Sequence, residues 1–397
     1  MTFKVPQGFR LTGVHCGIKR NPSKPDLSLI VSDRPATAAG VYTQNLVHAA
    51  PVALNRQRTP TDRFRVLVIN SGNANACTGD RGLNDARQMA TMAAAACDVE
   101  GSHALVMSTG VIGVFLPMDK IGQGIRAASK QLGNSEDDLV LASRGMLTTD
   151  TVHKLSARSF ALDGHSVQIT GMAKGAAMIG PRMATMLSVI MTDAALEAAT
   201  AKAVLSRIAD ETFNCISVDG HMSTNDTVLL LANGAAGTPP LAGAALEAFG
   251  NTLHEVCTEL ARAIPNDGEG CTHLVTIDVH GCEDIAAARR IAKTVAESPL
   301  VKTAIAGADP NWGRIVSAAG YAGVSFDPSK VDLDVNGFPL YRQGSPLTFD
   351  KAAVAESIRG QRDTHVKLMF GEGSAMTRFW TTDLTPEYVR LNADYTT

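Results

Sequence analysis

Short apolar runs bounded by turn formers alternate along this chain with longer stretches in which alanine, leucine and charged residues recur at helical spacing. The runs at 27–31, 65–70, 104–108, 166–170, 185–191, 227–232, 274–279 and 330–335 predict buried strands. The stretches at 83–96, 118–131, 195–214, 241–263, 282–298 and 350–359 predict helices. Their alternation, with no fixed-period repeat, predicts a mixed α/β (α+β) architecture. No Pro/Ser-rich linker marks a border, so the chain reads as two closely packed halves meeting near residue 184.

A chain of 397 residues buries a core without disulfide or metal staples. Hydrophobic residues at 45%, charged residues at 19% and a formal net charge of −3 argue against a disordered tail or an electrostatic partner. Lysine and arginine are dispersed and aromatics reach only 5%, so a nucleic-acid platform is not expected. Seven cysteines, odd in number and with no C-x-x-C pair, read as free thiols. The first ten residues lack an apolar core of the signal-peptide kind, and the longest apolar stretch, 104–117, is too short and too interrupted to span a bilayer. The expectation is a soluble, cytoplasmic protein with no membrane partner.

The most informative segment is 171–194, GMAKGAAMIGPRMATMLSVIMTDA. A flexible stretch rich in glycine, alanine and proline runs up to Ala184, and Thr185 opens a mostly apolar strand-like run. A threonine so placed can attack the preceding carbonyl through its hydroxyl, pass through an ester and emerge as a new N-terminus. Nucleophile and base then sit on one residue, because a free α-amine with a pKa of about 7.7–8 takes the hydroxyl proton near neutrality. The plain alternative is a core strand with a threonine at its edge.

Six polar clusters fall where loops are expected. Residues 70–75, NSGNAN, read as an amide-bonded turn before a helix. Residues 108–113, STGVIG, bring a hydroxyl and a backbone N–H beside Gly110 to one place, the kind of donor set that stabilises the oxyanion of a tetrahedral intermediate; an ordinary turn needing positive φ fits equally. Residues 148–151, TTDT, and 225–227, NDT, read as caps or Asx turns. Residues 267–270, DGEG, place two carboxylates after an apolar helix, suited to a substrate ammonium and poor as a metal site for want of a histidine at ligand spacing. Residues 309–314, DPNWGR, read as a turn.

Taken in order, KGAAMIGPRMATML (174–187), STGVIG, TTDT, STNDT (223–227), NDGEG (266–270), VKTAIAGADPNWGR (301–314) and the terminal YVRLNADYTT (388–397) closely resemble the ornithine acetyltransferase family, whose bifunctional members are also called glutamate N-acetyltransferases. The resemblance spans nearly the whole chain. It implies a self-processing N-terminal-nucleophile-like fold, a layered sandwich of β-sheets with flanking helices. It implies an enzyme of arginine biosynthesis that moves an acetyl group from N-acetylornithine to glutamate, some members also taking it from acetyl-CoA. By residue matching it implies cleavage between Ala184 and Thr185 into an α chain, 1–184, and a β chain, 185–397, assembled as α2β2. Thr185 would carry the acetyl group, Thr109 and Gly110 would form the oxyanion hole, and Thr148, Lys174, Thr185, Glu269, Asn392 and Thr397 would contact substrate. No bound cofactor or metal is implied; acetyl-CoA would enter as a substrate. A related self-processing aminopeptidase, a specialised-pathway acetyl transferase or an inactive scaffold remain the alternatives. The chain departs from the family pattern at Ala177, Arg182, His221-Met222 and His273.

Overall fold

The computed structural model describes residues 3–180 and 186–394. Eight of the described strands form one sheet and six a second. The first contains β1 (Phe9–Val14), β2 (Leu27–Tyr42), β3 (Thr61–Asn73), β4 (Ala104–Val111), β5 (Lys154–Leu162), β6 (His165–Lys174), β7 (Leu187–Thr192) and β8 (Thr227–Ala232). Its order is β4-β3-β2-β8-β7-β6-β5, with β1 beside the first half of β2. The pairs β3–β4 and β7–β8 are parallel and the other neighbours antiparallel. The second sheet contains β9 (Leu274–Cys282), β10 (Asp332–Val335), β11 (Phe338–Arg342), β12 (Ser345–Pro346), β13 (Asp363–Met369) and β14 (Ala375–Thr382). Its order is β12-β11-β10-β13-β9-β14.

Strands β7 and β8 are buried along their whole length, which is why LSVIMT and TVLLLA read as continuous apolar runs instead of alternating ones. The few polar side chains there are satisfied locally: the Ser188 hydroxyl donates to the Met172 carbonyl at 3.1 Å. One face of this half of the sheet packs on the helices Ala198–Glu211 and Gly243–Asn266, whose buried positions Phe249, Leu253, Val256, Leu260 and Ile264 recur at helical spacing. The same cluster continues into Val275, Ile277 and Val279 of β9 and into the helix Ile285–Glu297, so sheet, helices and sheet share one core. The other half, β2 to β4, packs one face on the helices Gly79–Ala96 and Met118–Ser129. Its opposite face, with Ile30, Leu67, Ile69 and Met107, meets Leu187, Val189, Met191, Leu229 and Leu231 in a single internal cluster. Long β2 joins both halves, and its register against β3 slips between Val31 and Ala38.

This layered α/β architecture agrees with the one implied by the family resemblance. The seven cysteines are free thiols. Several boundaries moved: the helix expected from 195 starts at Ala198, and the cluster 309–314 is partly helical, with Asn311 capping Trp312–Gly320 by accepting from the Arg314 amide. Among the described residues, no helix is long and apolar enough to cross a membrane.

Candidate active site

The C-terminal ends of β3, β4 and β6 converge on the loop that leads into β8. There they surround a cavity of about 940 Å³ whose lining includes Thr109, Gly110, Thr148, Lys174, Glu269 and Asn392. Six residues chosen from five separate motifs therefore face one space. Ala184, Thr185 and Thr397 lie outside the described residues. Met186, covalently next to Thr185, is buried, and its amide donates to Asp226 Oδ1 at 3.1 Å.

Gly110 shows why local sequence builds this wall. Its φ is +132°, and a Cβ would stand 2.3 Å from the Gly72 carbonyl carbon and 2.4 Å from the Asn73 nitrogen, so only glycine permits the approach of β4 to the end of β3. The neighbouring cluster 70–75 is the amide-bonded turn that its composition suggests. Asn73 Oδ1 accepts from the Asn75 amide at 2.8 Å and Asn70 Nδ2 donates to the Asn73 carbonyl at 2.8 Å. Asn225 then ties this region to the loop before β8, its Nδ2 donating to the Ala74 and Ser108 carbonyls at 2.7 and 2.8 Å.

The opposite wall is held by a residue that no motif drew attention to. Lys154, at the start of β5 and 2% exposed, donates to Asp150 at 2.7 Å and to Asp267 at 2.6 Å. Asp150 also accepts from the amides of Gly175 (2.6 Å) and Thr148 (3.1 Å), so one carboxylate fixes the backbone beside two expected substrate contacts. Asp267 accepts from the Thr151 amide at 3.1 Å and from the Thr151 hydroxyl, anchoring the loop that carries Glu269. The Glu269 amide donates to the Ala176 carbonyl at 2.9 Å, and its carboxylate accepts from Asn392 Nδ2 at 3.0 Å. The charges at 150, 154 and 267 look unrelated in the sequence because Asp267 lies 113 positions from Lys154 and 116 from Thr151.

Electrostatics separate these groups. Burial by itself would raise Asp150, but the ammonium groups of Lys154 and Lys174 and the Gly175 amide hold it at about 2. Burial pushes Lys174 below the ordinary lysine value, and the carboxylates of Asp150, Asp226 and Glu269 oppose that fall. Burial pushes Asp226 well above the usual carboxylate range, only partly offset by the Met186 amide, the Ser223 hydroxyl and Lys174. A buried cation among three acids, lining the same cavity as Gly72 and Gly110, is suited to gripping an α-amino acid by its carboxylate. Lys19, Arg20 and Lys24 also line the cavity, and nothing in the sequence pattern distinguishes them from other surface cations.

The model of the ArgJ family matches residues 10–397. Over 396 residues the chain is 46% identical to the arginine biosynthesis bifunctional protein ArgJ of Rhodopirellula baltica, covering 99% of this chain and 96% of that protein. The corresponding protein of Symbiobacterium thermophilum is 45% identical, with 99% and 98% covered. Among solved structures, the arginine biosynthesis bifunctional protein ArgJ of Bacillus halodurans is 37% identical with a TM-score of 0.52, and all of that chain corresponds to 53% of this one. Matched along nearly its whole length by the family model and by relatives of this identity, the chain belongs to the ArgJ family.

Proposed function

We propose that this protein is an acetyltransferase of arginine biosynthesis that moves the acetyl group of N-acetylornithine to glutamate through an acetyl-threonine intermediate on Thr185. The observation that carries the reading is the convergence of Thr109, Gly110, Thr148, Lys174, Glu269 and Asn392 on one cavity, beside the strand that Thr185 precedes. Family membership supports the activity, since the relatives are named arginine biosynthesis bifunctional proteins.

The chemistry runs in two halves. The Thr185 hydroxyl attacks the acetyl carbonyl, its proton passing to the α-amine of the same residue, while Thr109 and the Gly110 amide hold the oxyanion. Ornithine leaves as the amine, taking up the proton. Glutamate, with the same α-carbon, nitrogen and carboxylate, then enters the vacated space, and its amine takes the acetyl group. Lys174 serves the α-carboxylate in both halves, while Glu269 and Asn392 meet the side-chain end. The burial of Met186, next in the chain, suits a dry setting in which hydrolysis of the ester is slow until the amine arrives.

The α-amine exists only after the Ala184–Thr185 bond has been cut, so the proposal includes self-cleavage into 1–184 and 185–397. That the whole solved Bacillus halodurans chain corresponds to 53% of this one is in keeping with such a division. In the first sheet β7 and β8 lie between β6 and β2, which suits fragments that stay together after the cut. An α2β2 assembly, a cytoplasmic setting, the absence of a bound cofactor and the acceptance of acetyl-CoA as a second donor are the finer parts of the proposal.

The test supplies N-acetylornithine with and without glutamate, and separately acetyl-CoA with glutamate. Acetylglutamate from the first mixture only with glutamate present is the expected result, and product from the last defines the second donor. Free acetate released at full rate without glutamate identifies a hydrolase and overturns the reading. Thr185→Ala is expected to abolish both fragments and turnover, whereas Thr185→Ser retains part of each.

A further inference from the structure

The loop 217–226 touches the chain on both sides of the 184–185 bond. Upstream, Asp219 accepts from the Met178 amide at 2.6 Å through Oδ2 and from the Ile179 amide at 2.8 Å through Oδ1. It also accepts from the His221 amide at 3.1 Å and the Tyr388 hydroxyl at 3.2 Å. The Ile179 carbonyl in turn accepts from the amides of Val218, Asp219 and Gly220 at 2.7, 3.1 and 3.2 Å and from the Ser217 hydroxyl at 3.1 Å. Gly180 is pressed so tightly on this loop that a Cβ would stand 2.1 Å from the Gly220 carbonyl carbon. Downstream, Asp226 accepts from the Met186 amide through Oδ1, and the Thr227 amide donates to the Met186 carbonyl at 3.0 Å. Asp226 is 1% exposed, and its Oδ2 has no hydrogen-bond partner among the described residues.

Two carboxylates seven positions apart both accept main-chain amides, one within a few residues before the bond and one directly after Thr185. Neither has a lysine or arginine in hydrogen-bonding reach among the described residues, so neither is accounted for as an ion pair. A backbone that must bring a hydroxyl onto its own preceding carbonyl needs both flanks held, because a small error in approach costs orders of magnitude in rate.

We propose that Asp219 and Asp226 are the two jaws of a clamp that positions the Ala184–Thr185 bond for self-cleavage. The inference rests on the reading of Thr185 as the cleaving residue. Both aspartates act through the main chain and are positioning residues. In the step they serve, the Thr185 oxygen bonds to the Ala184 carbonyl carbon, the Ala184–Thr185 C–N bond breaks, and the proton lost by the hydroxyl is balanced by one gained at the Thr185 nitrogen. Water then hydrolyses the ester.

The experiment follows cleavage of the full chain after pulse-labelled cell-free synthesis, by denaturing gel and mass spectrometry, with thermal melting of each product to establish folding. Asp219→Ala and Asp226→Ala are expected to slow cleavage of folded chains about tenfold or more. Asparagine keeps one acceptor oxygen, and Asp226 uses one for a main-chain amide while Asp219 uses two. Asp226→Asn is therefore expected to cleave within about threefold of the natural rate and Asp219→Asn distinctly more slowly. Alanine variants that fold and cleave at the natural rate overturn the clamp, as does the reverse order of the two asparagine variants. Should the alanine variants fail to fold, the asparagine order still decides. Variants that melt earlier yet cleave normally when folded show a merely structural role and equally overturn it. Thr185→Ala runs in parallel: fragments from that variant sink the underlying reading, whereas an intact Thr185→Ala chain beside normally cleaving aspartate variants sinks only the clamp.

Discussion

Lys154, the first residue of β5, and Lys174, the last of β6, stand at the same end of this antiparallel pair, Lys154 directly across from Ala173, and both are almost completely buried. Their surroundings differ. Lys154 is saturated, with Asp150 and Asp267 in direct contact, and it lies away from the cavity lining. Lys174 lines the cavity, and the acids around it act on its charge without holding it in a comparable ion pair. A buried cation with a full set of carboxylates organises loops; one whose field is only partly answered is free to take a substrate carboxylate. The difference lies in partners brought from afar, since the residue type and the strand-end location are the same.

The most severe way to break this comparison is to remove the saturated partner. Lys154→Met leaves two buried carboxylates without their cation and is expected to cost about 3–5 kcal/mol of stability. Denaturant unfolding checks it, and a loss below about 1 kcal/mol would mean the network is ornamental. Lys174→Met is expected to leave stability nearly unchanged, because burial already opposes that charge, while kcat/KM for N-acetylornithine falls roughly a hundredfold through loss of a charge-assisted contact. Steady-state kinetics beside a thermal melt separates the two effects.

Acid titration sharpens the comparison further. Asp150 is held at about 2 in the folded chain and returns to about 3.9 when unfolded, so between those values the unfolded state binds more protons. Its contribution, about 2 kcal/mol, is complete above pH 4 and is lost as the pH falls toward 2. Asp150→Asn is expected to flatten that part of the stability profile; an unchanged slope would assign the acid sensitivity elsewhere. The smallest effect is expected at the rim. Asn392→Ala removes one exposed hydrogen bond to Glu269 and should change KM by about two- to tenfold with kcat preserved.

Much of this architecture was legible because period and burial coincide. The apolar runs at 227–232 and 274–279 became β8 and most of β9, and the helix expected over 241–263 exists as Gly243–Asn266. The strands β5, β13 and β14 went unread: their outward faces carry Arg158, Lys367 and Arg378, so no unbroken apolar run marks them. The helix Pro386–Asp394 escaped for a related reason, having no buried residue to give it an amphipathic signature. At the site, Thr109, Gly110, Thr148, Lys174, Glu269 and Asn392 were named from the resemblance of their motifs, and the structure brings all six to one cavity. Asp150 and Asp226 sit inside two of those motifs, TTDT and STNDT, with no site role assigned to them, and Lys154 and Asp219 lie outside them. An aspartate in a loop is first read as a turn former, and only its distant partners reveal a larger task.

The sequence by itself determined the alternation of strands and helices, the glycine needed at 110, and the family to which the motifs belong, because these depend on local sterics, periodicity and residue identity. Tertiary structure decided which buried lysine is neutralised and which faces the cavity, and which carboxylates accept main-chain amides on either side of the 184–185 bond. Those outcomes depend on charges and amides up to 116 positions apart meeting where water is excluded, and there the distance between partners, which no one-dimensional pattern encodes, sets the energy.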